Sequence, residues 1–175
     1  MKTLATWGLG ALALLAAGAA AAQAPPPARP PGPPPPPARG PALDLAREAA
    51  QTAVATCKAN GYNVTAVVVD SAGVPKAMLV GDGAPGMTTQ IAVRKAVTSV
   101  TFKKPSGAVG EDAKADKALA DRIAGDPRLI TWAGGLPLKV GDEVVGAIGV
   151  SGAPGGDKDE ACAGPAAAKI QSRLR

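Results

Sequence analysis

Apolar residues recur at intervals of three and four between positions 42 and 59, and this spacing predicts an amphipathic helix. The Asn60-Gly61 pair that follows is typical of a helix stop. The predicted buried stripe consists mostly of small residues: Leu45, Ala46, Ala49, Ala50, Ala53 and Cys57. A helix with such a stripe has to lie close to its neighbours to exclude water.

A continuous β-branched run at residues 64–70 predicts a strand that is buried on both faces. Ala72-Gly73 is a turn sequence, and residues 74–80 return to an apolar β pattern. Together the two segments predict a β-hairpin.

A second hairpin is predicted later in the chain. Residues 130–137 have a β composition, and Gly141-Asp142 is a turn sequence before a strand at residues 144–150. One face of this last strand, continued to residue 151, is nearly bare because most of its side chains are small. It carries Val145, Ala147, Gly149 and Ser151. Two interpretations are open: a helix packs on the glycine, or a ligand or neighbouring subunit approaches the backbone.

Three further segments have helical patterns. They are residues 88–104, which Pro105 ends, the more polar residues 111–124, and residues 157–174. The order of elements is then α-β-β-α-α-β-β-α. This order predicts an α+β fold in which helices flank an antiparallel sheet.

The last helix has a recognisable start. Asp157 with Glu160 three residues later has the form of an N-cap with a capping-box acid. Gly164-Pro165 is expected to interrupt this helix early, because proline removes a backbone donor.

The composition limits the core and the choice of partners. Of the 175 residues 46% are hydrophobic, but only 2% are aromatic, so the core is built from small side chains. Such a core buries little area per residue, which favours a homo-oligomer. Without Lys2, Arg29 and Arg39, which precede the domain, 16 of the 19 basic residues remain against 14 acidic ones. The resulting net charge of +2 offers no basic surface for nucleic acid.

The sequence contains no histidine. This excludes Ser-His-Asp and Cys-His catalysis, the HExxH zinc site and haem held by a proximal histidine. No other nucleophile and base, and no metal-binding cluster, is recognisable in the sequence, which favours binding over catalysis.

The N-terminal region is predicted to lie outside the domain. Residues 1–22 resemble a secretory signal peptide, with cleavage expected after Ala22, and an uncleaved membrane anchor is the alternative. Residues 23–41 contain eleven of the 18 prolines, which predicts a disordered tether of roughly 50 Å. Residues 42–175 are the predicted domain. We therefore expect a periplasmic or secreted protein that is free of the membrane after cleavage.

The loop at residues 81–86 matches G-x-G-x-x-G, but its context argues against a dinucleotide site. The preceding strand is the second arm of a hairpin, and no acid stands about twenty residues further on. The loop, with Asp82 and Gly83, leads into the helix that begins at Thr88. A helix start after a glycine loop suits a carboxylate or phosphate, and a plain structural turn is equally consistent. Arg94 and Lys95 either clamp such an anion or pair with nearby acids.

Two cysteines remain after signal cleavage, Cys57 and Cys162. An oxidising compartment favours a disulfide between them, which requires Cα atoms within roughly 7 Å. A pair of buried free thiols is the alternative.

The combined pattern resembles the GlcG/HbpS family of haem-binding proteins over nearly all of residues 43–174. The matching motifs, in chain order, are Asp70-Ser71-Ala72-Gly73, Gly81-Asp82-Gly83-Ala84, Arg94-Lys95-Ala96, Gly134-Gly135-Leu136-Pro137, Val145-Gly146-Ala147-Ile148-Gly149-Val150-Ser151-Gly152 and Asp159-Glu160. The resemblance implies a profilin-like α/β/α layering, assembly into oligomers and haem as the cofactor. It also implies a haem contact at Thr88. In related domains fused to cobalamin adenosyltransferases a histidine can serve the haem, and this chain lacks that histidine.

Two functions therefore stay open. The first is a periplasmic or secreted protein that binds haem weakly, since the hydroxyl of Thr88 and the thioether of Met87 are weaker iron ligands than imidazole. The second is a binder of, or an enzyme acting on, a small carboxylate such as a 2-hydroxy acid. The predicted cofactor-binding residues are Thr88, Met87, Arg94, Lys95, Asp82 and Gly83.

Overall fold

The computed structural model describes residues 37–175. Five helices and four strands follow one another in this region. They are α1 (Leu43–Ala59), β1 (Thr65–Asp70), β2 (Pro75–Val80), α2 (Thr88–Phe102), α3 (Ser106–Ala115), α4 (Lys117–Ala124), β3 (Gly135–Val140), β4 (Glu143–Ser151) and α5 (Gly156–Gln171). The predicted signal peptide at residues 1–22 and most of the predicted tether at residues 23–41 lie outside the described residues.

The strands form one antiparallel sheet in the order β2-β1-β4-β3. Helices α1 and α5 pack together on one face of the sheet, and α2 covers the other. Every residue of the central strand β1 is buried, as the continuous β-branched run predicts. The predicted α+β fold and the antiparallel sheet between helices are confirmed. In the described part of the chain, no helix is long and apolar enough to cross a membrane.

The bare face of β4 is covered by helix α2. A Cβ atom at Gly149 would collide with the carbonyl oxygen of Ala92, so glycine lets the helix lie directly on the strand. Ala147 on the same face is fully buried in the cluster of α2 and sheet residues. Of the two interpretations, helix packing is therefore correct, and a subunit contact through Ala147 is wrong.

Two predicted elements in the middle of the chain are different in the structure. Residues 130–134 are loop, and the strand begins only at Gly135. The single polar helix predicted at 111–124 is two helices that start earlier, at Ser106, and are separated at Asp116. The side chain of Asp116 caps α4 by accepting a hydrogen bond from the Leu119 N–H at 3.0 Å.

Helix α5 also differs from its prediction at both predicted landmarks. Its N-cap is Gly155, with φ of 121°, and Asp157 lies inside the first turn without capping it. Glu160 instead accepts a hydrogen bond from the Gly134 N–H at 3.3 Å. The helix continues without a break through Pro165.

A disulfide joins the two helices on one face of the sheet. Cys57 near the end of α1 and Cys162 in α5 are bonded, with their Cα atoms 5.4 Å apart. Both residues are buried among small side chains of the core, and the α1 stripe predicted from the sequence forms much of it.

Candidate ligand-binding groove

A groove of about 420 Å³ lies where the start of α2, the end of β4 and the start of α5 meet. It is lined by Pro85, Met87, Thr88, Ile91, Lys95, Trp132, Ser151, Gly152, Ala153, Gly155, Gly156 and Asp159. Met87 is 73% exposed and Trp132 is 58% exposed, whereas Thr88, Lys95 and Asp159 are buried. The groove thus combines large apolar groups that contact solvent with buried polar groups, an arrangement typical of ligand sites.

Thr88 opens α2 behind the glycine loop, as the sequence predicts. Its Oγ1 donates a hydrogen bond to the carbonyl oxygen of Pro85 at 2.6 Å. The Oγ1 of Thr65 lies 2.7 Å away on β1. With the Thr88 proton committed to Pro85, Thr65 is the donor of this second bond, and a lone pair of Thr88 remains for another group.

Lys95 and Asp159 form a buried ion pair between α2 and α5. The Lys95 Nζ donates to Asp159 Oδ2 at 2.6 Å and to the carbonyl oxygen of Val150 at 3.0 Å. The two side chains are only 2% and 4% exposed. Burial outweighs their attraction, so it lowers the pKa of Lys95 below 10.5 and raises the pKa of Asp159 above 3.8.

Asp159 also holds the loop that forms one wall of the groove. Its Oδ1 accepts a hydrogen bond from the Ala153 N–H at 2.9 Å. A single carboxylate therefore connects α2, through Lys95, to the segment between β4 and α5. Gly134 packs directly on this pair, since a Cβ there would lie 2.9 Å from Lys95 Nζ and 2.8 Å from Asp159 Cβ.

The structure brings together only three of the six predicted cofactor-binding residues. Thr88, Met87 and Lys95 line the groove. Asp82 and Gly83 are exposed in the preceding loop and do not line it, and Gly83 adopts a φ of 78° next to Asn63.

Arg94 faces a different side of α2 from Lys95. Its Nη2 donates to the carbonyl oxygen of Leu129 at 2.5 Å, and it lines a second groove with Met78 of β2. The expectation that Arg94 and Lys95 together clamp one anion is therefore wrong. Consecutive residues of a helix are separated by about 100° of rotation.

A family model described as "Haem degrading protein HbpS-like" matches residues 42–168, which is more than half of the chain. The chain belongs to the HbpS-like family. This confirms the resemblance seen in its motifs. A comparison with curated proteins gives no significant match.

Solved structures similar to this HbpS-like domain include HbpS itself, with 34% identity and a TM-score of 0.68 over 75% of this chain and 89% of HbpS. A double mutant of Streptomyces reticuli HbpS also has 34% identity, with a TM-score of 0.69 over 80% of this chain and 99% of the mutant. PduOC in complex with haem has 20% identity and a TM-score of 0.66 over 75% of this chain and 95% of PduOC. At that identity the likeness to PduOC shows the shared fold alone.

Sequence reasoning placed Asp159 in a motif but missed its position in the site of this HbpS-like domain. A signal is present, because Asp159 lies on the buried stripe of α5 with Cys162, Ala163, Ala166 and Ile170. An acid on an apolar helix stripe needs a buried partner. The exposed Trp132 was missed as a groove residue as well, since the loop that carries it was predicted to be a strand.

Proposed function

We propose that this HbpS-like domain binds haem in the groove between α2 and α5, with the Thr88 hydroxyl facing the iron. The observation that carries the proposal is the position of Thr88, which the resemblance implicates in haem contact, at the buried side of a groove with an exposed indole and thioether. The description of the matching family model, which names haem, and the 34% identity to HbpS support the choice of haem.

The residues of the groove fit an apolar macrocycle better than a charged one. Met87, Ile91 and Trp132 supply apolar surface for the porphyrin plane. Among the described residues, Lys95 is the only cation that lines the groove, and its charge is already neutralised by Asp159. The described residues therefore offer the propionates no unpaired cation in this groove, and haem would supply its iron chemistry from a site with weak protein ligands.

Weak binding follows from the available ligand atoms. The sequence offers no imidazole, and the Thr88 hydroxyl is neutral and already shared with Thr65 and Pro85. A neutral hydroxyl would contribute less to binding the iron than the histidine, thiolate or phenolate ligands of other haem proteins. Affinity then comes mainly from apolar contact in the groove.

Titration with hemin tests the haem proposal. Hemin at micromolar concentration should quench Trp132 and shift the Soret band, because Trp132 is the only tryptophan after the predicted cleavage. Thr88→Ala should change the Soret band and weaken binding by roughly tenfold, which is about 1.4 kcal/mol. Thr88→Ser should keep the Soret band and the affinity of the unaltered protein, since serine keeps the hydroxyl.

Thr89→Ala is the matched control for this experiment. Thr89 follows Thr88 in α2 and its Oγ1 donates only to the carbonyl oxygen of Gly86, at 3.0 Å, away from the groove. Equal effects of the two alanine variants, or unchanged tryptophan fluorescence and Soret band with hemin, would contradict the proposal.

A small carboxylate is the weaker candidate for the same groove. The lysine that would receive the acid is paired, and Asp157 and Glu160 stand beside Asp159 at the start of α5. A second negative charge in this groove would meet repulsion from these acids.

We also propose that the mature protein is periplasmic or secreted. The predicted signal peptide at residues 1–22 supports this location. The disulfide between Cys57 and Cys162 supports it independently, because such bonds persist mainly in oxidising compartments.

Self-association through β2 is proposed in place of a contact at Ala147. Strand β2 is at the edge of the sheet, and it carries two apolar side chains that are 38% and 52% exposed, Leu79 and Val80. An exposed apolar edge strand is a ready surface for another copy of the chain.

Leu79→Lys is expected to convert the assembly to a monomer, because a charge at the centre of an apolar contact is desolvated without a partner. Light scattering measures the mass. Leu43→Lys is the control, since Leu43 is also exposed but lies at the start of α1 and not in the sheet. A monomeric mass for the unaltered protein would refute self-association.

A further inference from the structure

A second groove, of about 640 Å³, lies on the opposite side of α2 from the Thr88 groove. Its apolar wall consists of Met78 from β2 with Val93 and Val97 from α2. The groove exists because β2 is the edge strand and its side chains are only partly covered. Arg94 and Arg128 lie at the same groove, with the amide of Gln90 beside them.

Arg94 is incompletely satisfied at this position. Its Nη2 is bonded to the Leu129 carbonyl, but its Nε is buried and has no acceptor among the residues that the structure describes. Within residues 37–175 no carboxylate lies within 4.0 Å of its guanidinium. A buried donor without an acceptor is unfavourable, and in a native protein it calls for an explanation such as a bound water or ion.

Arg128 differs from Arg94 because it already has a partner. It donates to Asp126 through Nε at 3.0 Å and through Nη2 at 2.7 Å, and these hydrogen bonds lower the pKa of Asp126 to about 2. Arg128 therefore contributes little net charge to the groove. Of the two arginines at this groove, Arg94 is the one without an acidic partner among residues 37–175.

We propose that this second groove binds an amphipathic carboxylate, with the acid at Arg94 and the apolar body along Met78, Val93 and Val97. A carboxylate matches the planar guanidinium and accepts from more than one of its donors. An apolar chain or ring on the same molecule covers the side chains that β2 leaves open. This site is separate from the Thr88 groove, so it does not depend on the proposed function.

Fluorescence titration with cis-parinaric acid, a fluorescent fatty acid, tests the site in the full mature protein. Its methyl ester has the same apolar body without the charge and should bind more weakly. Arg94→Gln should weaken binding of the acid by roughly tenfold, as expected for a charged hydrogen bond, and leave the ester unchanged. Raising the salt concentration should weaken binding of the acid and leave binding of the ester unchanged.

Control variants separate this site from general effects of charge and fold. Lys114→Gln removes one exposed cation on α3 and should leave the affinity unchanged. Val97→Glu places a carboxylate in the apolar wall and should abolish binding. If Arg94→Gln binds the acid as tightly as the unaltered protein, or if the acid gives no fluorescence increase, the proposal is wrong.

Hemin distinguishes two sources of the same chemistry, since haem is itself an amphipathic dicarboxylate. If hemin displaces the fatty acid, and if Arg94→Gln weakens this displacement, haem is a ligand of this groove. A fatty acid that stays bound while hemin quenches Trp132 would support two separate sites. Binding of the fatty acid without any hemin binding would sustain this site and refute the proposed function alone.

Discussion

Replacing Lys95 with methionine is expected to lower the free energy of unfolding by about 3–5 kcal/mol. Methionine matches the lysine stem in length but leaves the Asp159 carboxylate buried without its ammonium partner. The carboxylate then retains mainly backbone donors such as the Ala153 N–H, which offset only part of its desolvation. Urea unfolding followed by circular dichroism measures the change.

The exposed pair of Lys117 and Asp121 supplies the matched control. Its Nζ–Oδ2 distance is 2.7 Å, but its side chains are 86% and 66% exposed. Lys117→Met should therefore change stability by less than about 1 kcal/mol. If Lys95→Met and Lys117→Met lower the free energy of unfolding equally, burial of the Lys95–Asp159 pair does not determine its contribution to stability.

A double variant, Lys95→Met with Asp159→Asn, separates charge from packing. Asparagine stays neutral and keeps an oxygen that can accept from the Ala153 N–H. The double variant should regain most of the stability that Lys95→Met loses, because neither buried charge remains. A double variant as unstable as the single one would assign the loss to packing.

The buried pair also predicts how stability depends on pH. The raised pKa of Asp159 means that the folded protein binds more protons than the unfolded chain in a window that opens at pH 3.8. The contribution of this carboxyl is therefore fully present below pH 3.8 and falls as pH rises through its folded-state pKa. The lowered pKa of Lys95 makes the unfolded chain bind more protons just below pH 10.5, so its contribution rises with pH there.

The double variant removes both titrations. The unfolding free energy of the unaltered protein minus that of the double variant is measured in urea at a series of pH values. As pH rises, this difference should fall in the acidic window and rise in the alkaline one. A difference that is independent of pH would contradict the assigned directions of the two pKa values.

Removing the disulfide is expected to lower the unfolding free energy by about 2–5 kcal/mol. The bond closes a loop with a sequence separation of 105 residues, and the restriction of so long a loop in the unfolded chain is worth about 4.7 kcal/mol in the chain-entropy model. Cys57→Ala with Cys162→Ala is the suitable variant, because serine would bury a hydroxyl at each of these fully enclosed positions.

Thiol titration accompanies the stability measurement. The unreduced, denatured protein should show no free thiol, and reduction should release two. Reduction of the unaltered protein should also bring its stability down to that of the double alanine variant. Two free thiols before reduction would end the disulfide assignment.

The order of elements was accessible from the sequence because local patterns determine it. The period of α1, the β-branched run of β1 and the turn at Gly141-Asp142 each depend on neighbouring residues only. The position of Thr88 at the start of α2 followed in the same way from the glycine loop before it. Half of the predicted cofactor-binding residues, Met87, Thr88 and Lys95, line one groove in the structure.

Local patterns failed where distant contacts decide the conformation. Residues 130–134 look like a strand, but the side chain of Ser106 accepts from the Gly135 N–H and donates to the Trp132 carbonyl, which ties the segment to α3. Asp157 has the form of an N-cap, yet Gly155 takes that place because the chain turns there with a φ that favours glycine.

The sequence alone determined the family, the layered α+β fold and the residue that opens α2, because these depend on periodicity and on motifs in fixed order. Only the tertiary structure decided which charged side chains form ion pairs. Lys95 and Asp159 are 64 residues apart and pair because α2 and α5 converge at the end of β4, whereas Arg94, one residue before Lys95, points into another groove. A helix rotates neighbouring side chains onto different faces, and only the packing of other elements determines what each face contacts.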